Sequence, residues 1–246
     1  MPDNDEILVV HLGGLGDVCL AESVFLSLRE HFCDCLVALG NRRFLDLFGG
    51  YFTRTHGVES RHWMYLFSDK LTGPRWKRIV FIGKDRQGSI RRRWRSHSAQ
   101  EPLFIDMYPD GAFGELTGGG TGKGVHVEAY QLQQLPAFGI EPVVREIPPK
   151  RAGRVILYPE EGFSKEKWPV ENFVTLFHLL KDRGVNTLLL RPPGLSVSLE
   201  GSLFFEDLGD VKRFFEEGGL FLSNDSGMAH LAGACGLATI TIFTGF

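Results

Sequence analysis

The sequence predicts an α/β chain of two doubly wound halves, each a mostly parallel sheet flanked by helices. Short apolar runs alternate with stretches of helical apolar spacing along most of the chain. The alternation then restarts after a proline-rich break at 141–152 (EPVVREIPPKRA). With 246 residues and 43% hydrophobic content, the chain can bury a sizeable core in one large domain or two modest ones. The break divides it into domains at 1–145 and 153–246.

In the first half, EILVVHL (6–12) reads as a strand ended by Gly13 and Gly14, and from Asp17 to Phe32 the apolar spacing becomes helical. CLVAL (35–39), RIVFIG (78–83) and PLFIDM (102–107) read as further strands. VHVEAYQLQQLPAFGI (125–140) reads as a helix interrupted by Pro136. In the second half, RVILYPE (154–160) is a strand and 169–183 a helix. VNTLLLR (185–191) follows as a strand, 209–217 as a helix, LFLS (220–223) as a strand, a helix from Asp225, and ATITIF (238–243) as the last strand. The only low-complexity patch is GGGTGKG at 118–124. It departs from a P-loop, since Thr117 stands where the first glycine belongs and Gly124 follows Lys123, so a plain loop is expected.

Lys and Arg total 27 against 30 Asp and Glu, and a formal charge of -3 gives no reason to expect nucleic acid as partner. The four cysteines form neither a CxxC pair nor a cluster with zinc spacing, so no metal is expected. The acidic start MPDNDEILVV is unlike a signal peptide, and no apolar run approaches the roughly 20 residues that cross a bilayer. A cytoplasmic protein is expected.

Three motifs carry chemistry. In HLGGLGD (11–17), paired glycines after a strand let backbone approach a ligand, and Asp17 opens a helix either as a cap or as a reactive carboxylate. In GFSKEKWP (162–169), Ser164, Lys165 and Lys167 lie between a strand and a helix, which suits a phosphate or an ordinary solvated loop. In SNDSGMAHLAGACG (223–236), Ser226, Gly227 and His230 share one end of a helix at the carboxyl end of a strand. The arginine runs RWKR (75–78) and RRRWR (91–95) suit a solvated face first and contact with phosphate or carboxylate groups second.

Taken in order, GGLGD (13–17), KEKWP (165–169) and DSGMAH (225–230), with HVEAYQLQQLPAFGI before the break, resemble the ADP-heptose:lipopolysaccharide heptosyltransferases, glycosyltransferase family 9. The resemblance implies a GT-B fold of two facing Rossmann-like domains, the first binding acceptor and the second the nucleotide-sugar. It implies an inverting, metal-independent transfer of a heptose-like sugar, with an ADP-sugar as co-substrate and no cofactor. Asp17 would be the base, and Ser164, Lys165, Lys167, Asp225, Ser226, Gly227, Met228 and His230 would hold the donor. Gly13, Gly14, Arg91, Arg92, Arg93 and Arg95 would meet an acidic glycolipid or glycan, such as a lipopolysaccharide core, at the cytoplasmic face of the inner membrane.

The pattern departs from the family in four places. Glu166 stands where the family lysine sits, between Lys165 and Lys167. His11 replaces a basic residue at the end of the first strand, and Gly13 and Gly14 replace serines. The chain ends at IFTGF (242–246) where relatives continue, which implies a shortened second domain and reduced activity. The alternatives are a GT-B nucleotide- or glycan-binding protein without catalysis, and another GT-B enzyme such as a nucleotide-sugar epimerase.

Overall fold

Five strands build the sheet of the first unit: β1 (Ile7–His11), β2 (Leu36–Gly40), β3 (Arg54–Gly57), β4 (Arg78–Ile82) and β5 (Leu103–Ile105). All pair in parallel in the order β3-β2-β1-β4-β5. Every residue of β1 and β2 is buried. That is why these two strands read as continuous apolar runs: a parallel sheet is covered on both faces. The computed structural model describes residues 5–33, 35–109, 125–151, 153–160, 167–195 and 201–243. The chain divides into two compact units, Met1–Arg145 and Glu146–Phe246.

On one face of the first sheet, Leu8, Val10, Val37, Leu39, Ile79 and Phe81 pack against Trp63, Trp76 and Trp94. The buried indole N–H groups are satisfied: Trp76 donates to the Tyr65 hydroxyl at 2.9 Å and Trp94 to the Leu66 carbonyl at 2.7 Å. The long first helix expected from Asp17 to Phe32 is two helices, α1 (Leu15–Leu20) and α2 (Glu22–Phe32). They part at Ala21 (φ -91°, ψ 1°), whose N–H is shared between the Asp17 and Val18 carbonyls. β3 and the short helix α3 (Arg42–Leu45) were not expected. RTHG is a polar edge strand with no apolar face, so periodicity gives it no signal.

A further short helix, α4 (Ser89–Trp94), precedes β5. After β5, α5 (Val127–Leu132) returns to α2, where Ser23 donates to Glu128. Pro136 falls in a tight helical turn, Leu135–Phe138, which closes at Gly139 in the left-handed region (φ 73°). Val143 and Arg145 then dock on α2 through their N–H groups, to Ser27 at 2.8 Å and Ser23 at 2.9 Å, and Arg145 pairs with buried Glu22.

The second unit carries β6 (Val155–Tyr158), α6 (Val170–Asp182), β7 (Thr187–Leu189), α7 (Leu208–Glu216), β8 (Leu220–Asn224), α8 (Gly227–Ala234) and β9 (Ala238–Ile242). Its four strands are parallel in the order β7-β6-β8-β9. Leu157, Phe173, Phe177 and Leu189 form a core between sheet and α6. Asp207 caps α7 by accepting the Gly209 N–H at 2.7 Å. Pro169 lies just outside α6 as its N-cap, because its extended backbone (φ -59°, ψ 149°) cannot begin the first turn. Among the described residues no helix is long and apolar enough to cross a membrane.

Candidate functional site

Each sheet reverses its winding once, at β1/β4 in the first unit and at β6/β8 in the second. Open α/β sheets bind ligands at such points, outside the carboxyl ends of the strands. The first and third sequence motifs fall there, one in each unit.

In the first unit, β1 ends at His11 and the chain turns through Gly13 and Gly14 into α1. The Asp17 carboxylate folds back on this turn and accepts the Gly14 N–H at 2.9 Å through Oδ2, while Oδ1 accepts the hydroxyl of Tyr108. Two donors from different parts of the chain thus orient one half-buried carboxylate. Gly13 is required sterically: a Cβ there would lie 2.6 Å from Asp17 Cβ and 2.8 Å from His11 Cε1. His11 is buried, and its Nδ1 accepts the Gly13 N–H at 3.2 Å. Burial lowers its pKa to about 4, against the opposing pull of Asp17.

Tyr108 was missed by sequence reasoning, although it follows the strand expected at 102–107 and so stands at the same end of the sheet as Asp17. Its segment is held by Gln134, which accepts the Asp106 N–H at 2.8 Å and donates to the Asp106 carbonyl at 2.9 Å. No local pattern links 134 to 106. Beside the glycine turn lies an open cavity of about 570 Å³, walled among the described residues by Leu12, Phe44, Val58 and Phe67, with Asn41 a polar side chain at its edge. A larger cavity of about 700 Å³ lies along edge strand β3, between His56, His62, Trp63 and Trp76, away from the reversal point.

In the second unit, α8 begins at Gly227 and not at Asp225 as the sequence suggested. Ser226 is the N-cap in extended conformation (φ -157°, ψ 158°) but its hydroxyl makes no capping bond. The first N–H groups of α8 therefore point outward without intrahelical acceptors. Ser226 Oγ and Glu160 Oε2 are both buried and close to one another, and neither engages any other group among the described residues. Burial raises the Glu160 pKa, opposed by nearby Ser226 and by the charge of Lys167. Asp225 and His230 are exposed at this end, whereas the Met228 side chain is turned into the core. Met228 is therefore left with its N–H to offer a ligand.

Asn224 organises this end of the sheet and was also missed. Buried at the end of β8, it accepts the Trp168 N–H at 3.1 Å and donates to the carbonyls of Glu160 (3.0 Å) and Trp168 (3.2 Å). It clasps the two ends of the segment that carries the second motif. Ser164 and Lys165 lie outside the described residues, as does 118–124.

The arginine run lies largely on an exposed face, the first of its two expected readings. Arg93 pairs with Asp69 through two hydrogen bonds of 2.6 and 3.2 Å, and Arg95 with Glu101 through contacts of 2.8 to 3.2 Å. The Arg91 guanidinium sits 4.5 Å over the Phe104 ring, while Asp85 accepts the backbone N–H groups of Ile90 and Arg91. Arg92 is exposed. Two of the four arginines are thus matched by the chain's own carboxylates, because residues 69 and 101 fold beside them.

No family model matches the sequence, and no curated protein matches it. Solved structures do resemble it. A glycosyltransferase family 9 protein from Veillonella parvula superposes with a TM-score of 0.61 at 14% identity, covering 98% of this chain and 82% of the other. The E. coli heptosyltransferase WaaC with ADP gives 0.61 at 15% identity, covering 96% and 86%. E. coli ADP-heptose lps heptosyltransferase II gives 0.61 at 14%, covering 96% and 84%. At these identities the likeness establishes the fold, two parallel-sheet α/β units of the GT-B kind.

Proposed function

We propose that this chain is an inverting, metal-independent glycosyltransferase that moves a heptose-like sugar from an ADP-sugar to a hydroxyl of a glycan or glycolipid acceptor. The observation that carries the reading is Asp17: a carboxylate at the carboxyl end of β1, at the reversal point of the sheet, oriented by Gly14 and Tyr108. As base it takes the proton of the acceptor hydroxyl while that oxygen bonds to the anomeric carbon from the side opposite the leaving group. The bond from that carbon to the diphosphate oxygen breaks, and the nucleotide leaves with the electron pair.

Ser226, Gly227 and the Met228 N–H receive that charge at the start of α8, with Lys167 beside them. The buried Ser226 hydroxyl and Glu160 carboxylate, which engage nothing beyond each other among the described residues, are polar groups that a ligand can complete in this reading. Support for ADP and for heptose comes from the E. coli structures of the same fold, one with ADP and one with ADP-2-deoxy-2-fluoro heptose. A lipopolysaccharide core, or a related glycan at the cytoplasmic face of a membrane, is the acceptor class those enzymes suggest.

The test pairs calorimetry on the intact chain, using ADP and ADP-sugars, with an assay of acceptor-dependent ADP release on extracted glycolipids. ADP binding together with an inverted glycosidic product is expected. ADP binding without transfer would leave a nucleotide-binding protein of this fold, and the absence of both would end the proposal.

A further inference from the structure

The start of α8 suits a negative charge, and the chain has already placed one there. β6 and β8 run side by side with Tyr158 opposite Ser223, so two residues further on Glu160 comes level with the turn into α8. Its backbone carbonyl accepts the Asn224 side-chain amide at 3.0 Å, which fixes the segment in that position. Its carboxyl group lies against the hydroxyl of Ser226, the N-cap of α8, with the charge of Lys167 nearby. Glu160 Oε2 and Ser226 Oγ are both closed off from solvent.

A diphosphate at this helix start is a second anion in the same enclosed space, and each charge raises the cost of the other. The other titratable groups around Glu160, among the described residues, are Lys167 before α6, Tyr158 on β6, and Asp225 and His230, both exposed at the α8 end. A proton on Glu160 removes the conflict. It converts a competing carboxylate into a carboxyl group whose O–H can donate to a phosphate oxygen. Burial already disfavours the ionised form, against the opposing pull of Ser226 and Lys167.

We infer that Glu160 takes up a proton when the nucleotide-sugar binds, so that donor capture by this chain is coupled to pH. The donor then binds more weakly as pH rises, by a limiting factor of about ten per pH unit once free Glu160 is ionised. The inference rests on the start of α8 as the diphosphate site. The coupling is read from the pH dependence of binding and the site from binding itself, so the two can fail separately.

The experiment is calorimetry of ADP-glucose on the intact chain between pH 6 and 8, a probe whose doubly esterified diphosphate does not titrate there. Wild-type affinity should fall by about tenfold or more across that window, and buffers of different ionisation enthalpy should reveal proton uptake on binding. Glu160→Gln, neutral at every pH, should bind roughly tenfold tighter than wild type at pH 8 and vary by less than about twofold across the window. His230→Gln should keep the proton uptake. His11, in the other unit, titrates near pH 4, and burial pushes Tyr158 upward, away from the window. If Glu160→Gln fails to fold, proton uptake that wild type and His230→Gln share carries the test. Equal affinity at pH 6 and 8 without proton uptake, or a pH dependence that persists in Glu160→Gln or vanishes in His230→Gln, overturns the inference and leaves the donor site standing. Absence of binding to wild type and Glu160→Gln at every pH would end both.

Discussion

His11 and Gly13 are joined by a hydrogen bond in which the imidazole is the acceptor: the Gly13 N–H donates to Nδ1 at 3.2 Å. The ring proton is therefore on Nε2, which is buried and has no partner among the described residues. A protonated ring could not accept from Gly13, so the glycine turn that presents Asp17 depends on His11 staying neutral.

This coupling has a pH signature. The His11 pKa is lowered from 6.5 to about 4 by burial, so between those values the unfolded chain binds a proton that the folded chain does not. Stability is then full above pH 6.5 and falls as pH drops toward 4, by up to about 3 kcal/mol. Urea titrations at pH 4.5 and 7.5 should show the loss in wild type, and His11→Gln, whose amide oxygen can accept from Gly13, should show less of it. An identical pH dependence in the two proteins would clear His11 of this role.

Asp17→Asn keeps a group that Gly14 and Tyr108 can both engage but removes the base. Turnover should fall roughly a hundredfold or more, with thermal stability close to that of wild type. Tyr108→Phe leaves the Gly14 bond in place and should cost about tenfold. Steady-state rates with a fixed acceptor read both, and wild-type turnover in Asp17→Asn would remove it from the chemistry.

The two glycines of the turn should respond differently to alanine. At Gly13 a methyl group would lie 2.6 Å from Asp17 and 2.8 Å from His11, so the turn must distort. At Gly14 the nearest atom is Asp17 Oδ2 at 3.8 Å, an ordinary contact. Melting temperatures should therefore drop several degrees for Gly13→Ala and hardly move for Gly14→Ala.

Asn224→Ala removes three hydrogen bonds to backbone groups near the end of β8, a loss on the order of 2–4 kcal/mol. Asn224→Asp should be at least as harmful, since a carboxylate cannot donate to the Glu160 and Trp168 carbonyls and would face their oxygens with its own charge. If the segment clasped by Asn224 serves the nucleotide, ADP affinity falls with stability in Asn224→Ala. Chemical denaturation and calorimetry on the same samples separate the two effects.

Composition and periodicity were enough for the two-part α/β plan, because strands buried on both faces must be apolar throughout and helices between them must show a stripe. The glycine turn at 13–14 and, to within two residues, the start of α8 were legible for the same local reason: a strand, a small residue and a helix follow one another within a few positions. Edge strand β3 was not, since its polar RTHG is held by hydrogen bonds to β2 and has no face to bury. Tyr108, Gln134, Asn224 and the carboxylates that occupy Arg93 and Arg95 were likewise invisible. Most act on a group distant in sequence, 91 positions away for Tyr108 and Asp17 and 56 for Asn224 and Trp168, while Glu101 meets Arg95 from six positions away across a turn no local pattern specifies. Local sequence sets which segments become strands and helices; only folding brings distant donors, acceptors and charges within hydrogen-bonding reach, and that proximity decides which polar residues are free to meet a ligand.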